Sequence, residues 1–296
     1  GIKNTKAPMY AFMLGSSLFV LLDYALIFGA WGLPQLGLKG SALASVIQYA
    51  VMLVFILGYV LLNERCRKYG IELLASFKQH GYWKELLFIS IPVIIDKATL
   101  AFAYLWLCAL MKPLGVAAVA TFSVLKDMER FALVPAIAFA QIVTLLVSND
   151  YGIQNWPGIK SNIKKIVFMA SSMVMFILVV LSFYARTIVQ WFDRTGDFTD
   201  LAARVFPIIS VLVFFDVLQL ILSGALRGSA NVRLVMMVRL IICVGYFVPV
   251  SYMISCLPIA DPALKLVLIY SSFYIGNALM SVIYINRFRS EGWKTN

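Results

Sequence analysis

One carboxylate, Asp216, stands near the middle of a long apolar stretch and is followed by polar or small residues at helical spacing. Gln219, Ser223 and Arg227 come three, seven and eleven residues later, so a helix places all four side chains on one face. A charge at the centre of a bilayer costs roughly 3 kcal/mol on insertion scales and seldom faces lipid. The pattern therefore predicts either a polar stripe that joins helices or a titratable or ion-binding site in a water-filled cavity.

A second set of charged residues lies inside two neighbouring apolar segments, each of which also contains a proline. The set consists of Asp96, Lys97, Lys126, Asp127, Glu129 and Arg130. Its formal charges cancel, and pairs three residues apart on one helix are within reach of each other. These residues predict either a self-neutralising network that holds the two helices together or the polar wall of a transport cavity, with Tyr104 as a further lining residue.

The composition excludes an ordinary soluble domain. Of the 296 residues, 62% are hydrophobic and 13% are charged, whereas soluble domains contain roughly 45–50% apolar residues. The four cysteines have the spacing of no zinc or redox motif, and neither a nucleophile–base arrangement nor a metal-ligand cluster can be read from the sequence. We therefore expect a membrane protein that is not an enzyme and that carries no cofactor.

Eight apolar runs are long enough to cross a bilayer as helices. They cover residues 9–31, 40–62, 86–112, 117–148, 164–192, 201–227, 232–256 and 263–287. An even number of spans places both ends of the sequence on one side, and most lysines and arginines between the runs fall on that side. This bias predicts that both ends are cytoplasmic. It also accounts for the net charge of +11, so no nucleic-acid partner is expected.

A weak internal repeat points to two helical lobes. GIKNTKAPM at 1–9 aligns with GSANVRLVM at 228–236 with three identities, and each segment leads into a helix that runs in the same direction. Parallel repeats are a known transporter architecture. We therefore predict that residues 1–62 form the last two helices of an N-terminal lobe, 63–85 a cytoplasmic linker, and 86–296 a complete six-helix C-terminal lobe.

Several segments together resemble the multidrug and toxic compound extrusion (MATE) family of antiporters. They are LLDYALIFGAWGLPQLGLKGSALAS (21–45), IPVII (91–95), PLGVAAVA (113–120), SNDYG (148–152) and GALRG (224–228), with Asp216 and Gln219 ahead of the last. The first is similar to the family's fifth-to-sixth helix signature, and the last to the tenth helix of its sodium-coupled bacterial branch. The resemblance implies an all-α membrane protein in which this sequence holds the fifth to twelfth helices of twelve.

The resemblance also implies which residues bind the coupling ion. Asp216, with Gln219 beside it, matches a position that the bacterial branch uses for the ion, so Asp216 is the expected ligand of Na⁺ or acceptor of H⁺. The glutamate that this branch carries in its seventh helix falls at Leu100 in this sequence. Asp96, one turn away, is the candidate to replace it.

The leading hypothesis is a monomeric antiporter of the plasma (cytoplasmic) membrane that uses Na⁺ or H⁺ to export small organic cations by alternating access. Its substrate cavity is expected to include Lys97, Tyr104, Lys126, Asp127, Glu129, Arg130 and Ser223. One alternative is a flippase of the same superfamily that moves a lipid-linked headgroup, because paired charges suit a bulky zwitterionic or anionic cargo. Another is a membrane scaffold that transports nothing.

Overall fold

The computed structural model describes residues 6–63, 82–193, 196–259, 261–290 and 293. Over these residues the chain is helical and contains no strand, which confirms the expected all-α fold. Eight helical segments in the described part are long and apolar enough to cross a membrane. Their number equals that of the predicted apolar runs, as expected for a multi-pass membrane protein.

The helices of the described residues are numbered in chain order. They are α1 Lys6–Phe28, α2 Leu38–Leu62, α3 Tyr82–Met111, α4 Val116–Gly152, α5 Trp156–Phe183, α6 Ala185–Phe192, α7 Thr199–Gly228, α8 Val232–Ile242, α9 Val248–Cys256 and α10 Pro262–Arg289. A π-helical turn, Cys243–Phe247, joins α8 and α9, so that the two form one span, Val232–Cys256.

The predicted run 164–192 is wrong at its start and contains a break. Helix α5 begins at Trp156, where the Asn155 side chain accepts a hydrogen bond from the Gly158 backbone N–H at 3.2 Å and Pro157 occupies the first turn. The span ends at Phe183, and α6 is a separate short helix. Asparagine followed by proline is a start signal for a helix. Hydropathy alone misses it because lysines fill the first turns of α5.

The chain divides into two compact units, Gly1–Glu85 and Leu86–Asn296. In the described part of the first unit, α1 packs against α2 so closely that a Cβ at Gly40 would lie 2.6 Å from the Leu26 carbonyl oxygen. Residues 1–5 of the repeat and most of the predicted linker 63–85 lie outside the described residues. The assignment of residues 1–62 to an N-terminal lobe stays a prediction.

Helix α7 lies at the centre of the second unit, where it contacts α4, α5, α6, α8 and α10. One of its faces is fully buried and consists of Val205, Ile209, Val213, Val217 and Ile221. In a membrane this burial stabilises the unit mainly through close packing, because lipid tails are as apolar as these side chains. The position of α7 therefore decides which helices can reach Asp216 and Arg227.

Two glycines allow α7 to lie directly against α4. A Cβ at Gly224 would lie 2.7 Å from the Ala140 carbonyl oxygen, and one at Gly228 would lie 2.5 Å from the Thr144 carbonyl oxygen. The Thr144 hydroxyl also donates a hydrogen bond to the Gly224 carbonyl at 2.9 Å. Two small residues four positions apart are the pattern that lets membrane helices approach closely, and GALRG (224–228) contains that pattern.

We predict that Gly228→Ala lowers the free energy of unfolding by about 1–3 kcal/mol, the usual cost of overpacking. Thermal unfolding of the purified full-length protein in detergent measures the effect. Gly58→Ala is the matched control, because a Cβ at Gly58 would meet no atom within 4 Å, and this variant should melt like the wild type or slightly higher. Equal melting of the Gly228 variant would contradict the close approach of α4 and α7.

The Asp193 carboxylate organises the loop between α6 and α7. Its Oδ1 accepts from the backbone N–H groups of Gly196 (2.8 Å) and Asp197 (3.2 Å), and its Oδ2 accepts from those of Phe198 (2.9 Å) and Thr199 (2.8 Å). The Thr199 hydroxyl donates a further bond at 2.7 Å. Burial of the carboxyl raises its pKa, but the hydrogen bonds to the charged form outweigh that effect and hold the pKa of Asp193 below its usual range.

This depressed pKa predicts an acid-dependent loss of stability. The contribution of Asp193 is complete above the unfolded-state pKa of about 4 and is lost as the pH falls through the lower folded-state value. The melting temperature of Asp193→Asn should therefore fall less than that of the wild type when the pH is lowered from about 6 to about 3. Asp200→Asn is the control, since Asp200 is exposed and pairs with Arg186 at the surface. An unchanged acid response in the Asp193 variant would refute the prediction.

Candidate functional site

Asp216 lies on α7, and an amide from α10 holds one of its oxygens. Asn277 Nδ2 donates a hydrogen bond to Asp216 Oδ1 at 3.0 Å. Asn277 is buried, with 1% of its surface exposed, whereas Asp216 is partly exposed. The partner of Asp216 is thus a neutral amide 61 residues away in the sequence. In the described part of the chain, no arginine forms an ion pair with Asp216.

The two residues that follow Asp216 on the predicted polar face are both buried. Gln219 Nε2 has no hydrogen-bond partner among the described residues. The Ser223 hydroxyl donates to the Leu220 carbonyl oxygen of its own helix at 2.9 Å. Gln219 therefore keeps an unused polar atom inside the bundle. Ser223 satisfies its hydroxyl within α7.

Asp96 belongs to a different cluster, formed with two arginines. Arg239 Nε contacts Asp96 Oδ1 at 2.5 Å and Arg227 Nη2 contacts Asp96 Oδ2 at 2.6 Å. This cluster ties α3 to α7 and α8. Arg227 thus leaves the polar face it shares with Asp216 and binds another helix. The two ion pairs engage both oxygens of Asp96, the residue expected to replace the glutamate missing at Leu100.

The ion pair with Asp96 also places Arg239 in the interior. Arg239 is 6% exposed and Asp96 is 2% exposed, and both lie within apolar segments. A long basic side chain near a helix end usually reaches toward the membrane interface. Arg239 instead turns inward, because the Asp96 carboxylate supplies a buried charge of opposite sign.

Lys126 and Glu129 form a third group of charges, inside the bundle. Lys126 Nζ lies 3.1 Å from Glu129 Oε2, and the Tyr270 hydroxyl of α10 donates to the same oxygen at 2.5 Å. Glu129 is fully buried, and its Oε1 has no hydrogen-bond partner among the described residues. Tyr104 of α3 lies against the Lys126 ammonium. The expected pair on α4 is thus formed, but its further partners come from α3 and α10.

Asp127 and Arg130 lie on the outer surface of the second unit. Their charged atoms are 3.9 Å apart, and their side chains are 66% and 80% exposed. Lys97 is exposed as well. Of the two alternatives, the self-neutralising network that joins α3 to α4 is therefore wrong, because the six charges separate into a group around Asp96, a group around Lys126 and a set of surface residues. The polar wall of a transport cavity stays a prediction.

A small cavity lies beside Asn277. Its volume is about 20 Å³, and its walls include Thr99, Leu100, Arg239 and Phe273. This volume suffices for one water molecule. The cavity adjoins both Asn277, which binds Asp216, and Arg239, which binds Asp96.

The predicted Na⁺ site at Asp216 is not a cluster of several acidic ligands. In the described part of the chain, no group of three or more His, Cys, Asp or Glu residues is arranged to hold a metal ion. Na⁺ prefers oxygen ligands, and Asp216 contributes carboxylate oxygens beside the amide of Asn277. Binding of Na⁺ by Asp216 therefore stays a prediction.

Charged groups inside a multi-pass helical bundle mark substrate or ion pathways in membrane transport proteins. A family model named MatE matches residues 92–253. This match covers more than half of the sequence, so the chain belongs to the MatE family. The family consists of transporters rather than enzymes, which confirms the expectation that the chain is not an enzyme.

Relatives and solved structures agree with this assignment. The "Probable multidrug resistance protein NorM" of Synechocystis sp. is 24% identical over 95% of this chain and 62% of that protein. The "Multidrug resistance protein NorM" of Photobacterium profundum is 23% identical over 86% of this chain and 56% of that protein. The Vibrio cholerae MATE transporter VcmN shares the fold, with a TM-score of 0.79 and 14% identity over 99% of this chain and 64% of VcmN.

The chain therefore spans about half to two thirds of the length of the proteins it matches. The family assignment and the eight apolar helices in the described part of the chain agree with a multi-pass membrane protein of a transporter family. The orientation of the termini, the charge of the substrate and the monomeric state stay predictions.

We predict that Asp96→Asn destabilises the protein by about 3–5 kcal/mol, because removing one partner of a buried ion pair leaves uncompensated charge in the interior. Asp127→Asn is the matched control on α4, where the exposed pair should contribute about 0–1 kcal/mol. Thermal unfolding in detergent measures both variants. Similar melting temperatures for the two would show that the Asp96 cluster is not a structural clamp.

Proposed function

We propose that this chain is part of an exporter that couples the efflux of small organic compounds, cations above all, to the entry of Na⁺ or H⁺. The observation that carries the proposal is that the Asp216 carboxylate binds a neutral partner rather than an arginine. Of the two acids first considered for coupling, Asp96 is engaged by two arginines at 2.5 and 2.6 Å, whereas Asp216 has a neutral amide partner. An acid held by a neutral group gains or loses a cation without breaking an ion pair.

The sequence relatives favour the same direction of transport. Two of them carry the name multidrug resistance protein NorM. Coupling of the kind proposed requires that the ion and the substrate stabilise different conformations of an alternating-access cycle. Asp216 lies on the central helix α7 and binds α10 through Asn277, so a change in its charge alters the contact between these two helices.

A flippase is the second candidate, and the exposed charges favour it. Lys97, Asp127 and Arg130 are exposed on the surface of the second unit, although all three belong to membrane-spanning segments. Charges at such depth are expected to face polar surroundings rather than lipid. A zwitterionic or anionic headgroup would provide such surroundings.

The test is efflux of a fluorescent organic cation from vesicles that contain the full-length protein. We predict that an inward Na⁺ or H⁺ gradient accelerates efflux and that Asp216→Asn reduces this acceleration by roughly tenfold or more, a loss of at least about 1.4 kcal/mol of coupling. Asp200→Asn, in the exposed surface pair, is the control and should retain it. Gradient-dependent efflux by the Asp216 variant would remove this residue from the mechanism.

A parallel experiment separates the second candidate. If the protein moves a lipid-linked headgroup, its depletion in cells causes the lipid-linked precursor to accumulate, and the vesicles show no efflux of the organic cation. Efflux without such accumulation excludes the flippase.

A further inference from the structure

The ammonium group of Lys126 lies inside a cage of three aromatic rings and one carboxylate. Its Nζ is 4.5 Å from the ring centroid of Tyr104, 5.3 Å from that of Tyr270 and 5.4 Å from that of Phe273. Glu129 Oε2 completes the cage at 3.1 Å, and the Lys126 side chain is 18% exposed. Aromatic faces with a carboxylate form the kind of site with which proteins bind quaternary ammonium ligands and other cations.

The cage is assembled from three helices, so it depends on tertiary structure rather than on contacts within one helix. Tyr104 comes from α3, Lys126 and Glu129 from α4, and Tyr270 and Phe273 from α10. Tyr270 also fixes the carboxylate by donating its hydroxyl to Glu129. The rings and the acid are therefore held in place by neighbours, and Lys126 lies among groups arranged to receive a cation.

This cage lies beside Asp216, because Asn277, which donates a hydrogen bond to Asp216, follows Phe273 by one turn of α10 and the two side chains line the same small cavity. The charged groups that interact with the Asp216 carboxylate are Lys126, Glu129 and, more weakly, Arg239. Asp216 also interacts electrostatically with Tyr104 of α3 and Tyr274 of α10, and it accepts the hydrogen bond of Asn277 of α10. With both acids ionised, Asp216 and Glu129 contribute two negative formal charges and Lys126 contributes one positive charge. One negative charge is left, which a single H⁺ on Asp216 neutralises.

We propose that the Lys126 ammonium is a tethered cation that occupies the place of a soluble metal cation beside Asp216, so that the coupling ion at this site is H⁺ and not Na⁺. This inference rests on the proposed function of Asp216 and specifies its ion. A Na⁺ ion would have to lose hydration water and find space beside Asp216, and the fixed positive charge of Lys126 would repel it. A proton needs no such space, because it adds to a carboxylate oxygen of Asp216 and gives the neutral acid.

The first experiment measures equilibrium binding of radiolabelled Na⁺ to the purified full-length protein. In the wild type, Na⁺ should not bind at Asp216. Any saturable Na⁺ binding should therefore be the same in the wild type and in Asp216→Asn. Lys126→Met keeps a long unbranched side chain but deletes the charge, so it should bind Na⁺ at least about tenfold more tightly than the wild type. The double variant Lys126→Met/Glu129→Gln restores the single negative charge and should lose that gain.

Two results would overturn the proposal. One is Na⁺ binding by the wild type that depends on Asp216. The other is a folded Lys126→Met protein, checked by its melting temperature and size-exclusion profile, that binds Na⁺ no better than the wild type.

A second measurement needs no variant and remains decisive if Lys126→Met fails to fold. Wild-type vesicles are given a pH gradient with all Na⁺ replaced by K⁺, and efflux of the organic cation is followed. Efflux as fast as in vesicles that contain Na⁺ supports the tethered cation. Efflux that requires Na⁺ refutes the tethered cation but leaves the proposed exporter intact. An absence of efflux under every gradient refutes the exporter. In that case the Na⁺-binding measurement alone tests whether Lys126 excludes Na⁺.

Discussion

An ionised side chain inside the hydrocarbon layer needs an opposite charge or a polar partner, and this requirement governs the interior of the second unit. Asp96 is bound by Arg227 and Arg239, and the Oε2 atom of Glu129 is bound by Lys126 and Tyr270. Because Tyr104 of α3 lies against Lys126, each group draws its members from three helices. The charges therefore act as fixed points that determine how α3, α4, α7, α8 and α10 are rotated relative to one another.

Such ion pairs do not by themselves make a protein stable, because the loss of hydration offsets much of their attraction. The close packing of α4 and α7 through Gly224 and Gly228 provides the complementary part of the fold. Dispersion contacts between backbones hold the helices together, and the buried charges select one arrangement among those that packing allows. The unit thus combines a close apolar contact with a small number of specific polar ones.

The two groups of charged residues differ in their net formal charge. Asp96 with two arginines keeps one positive charge, whereas Asp216 and Glu129 with Lys126 keep one negative charge. The first group has both carboxylate oxygens engaged by arginines, which suits a structural role. The second contains Asp216, whose hydrogen-bond partner among the described residues is the neutral amide of Asn277, which suits a role in which charge changes. Asp96 and Asp216 are both aspartates within apolar segments, but their different partners suit Asp96 to a structural role and Asp216 to the proposed coupling role.

The sequence alone determined the membrane class, the number of spanning helices and the pairing of Lys126 with Glu129 three residues later. It also singled out Asp216 as an acid near the middle of an apolar stretch. These features depend on hydropathy, helical period and short spacing, which are local properties of the chain. Only the tertiary structure decided that Asp96 binds Arg227 and Arg239, which are 131 and 143 residues away, that Lys126 is enclosed by rings of α3 and α10, and that Asn277 binds Asp216. The physical reason is that a contact between helices depends on the depth and rotation of each helix, and packing of the whole bundle fixes both.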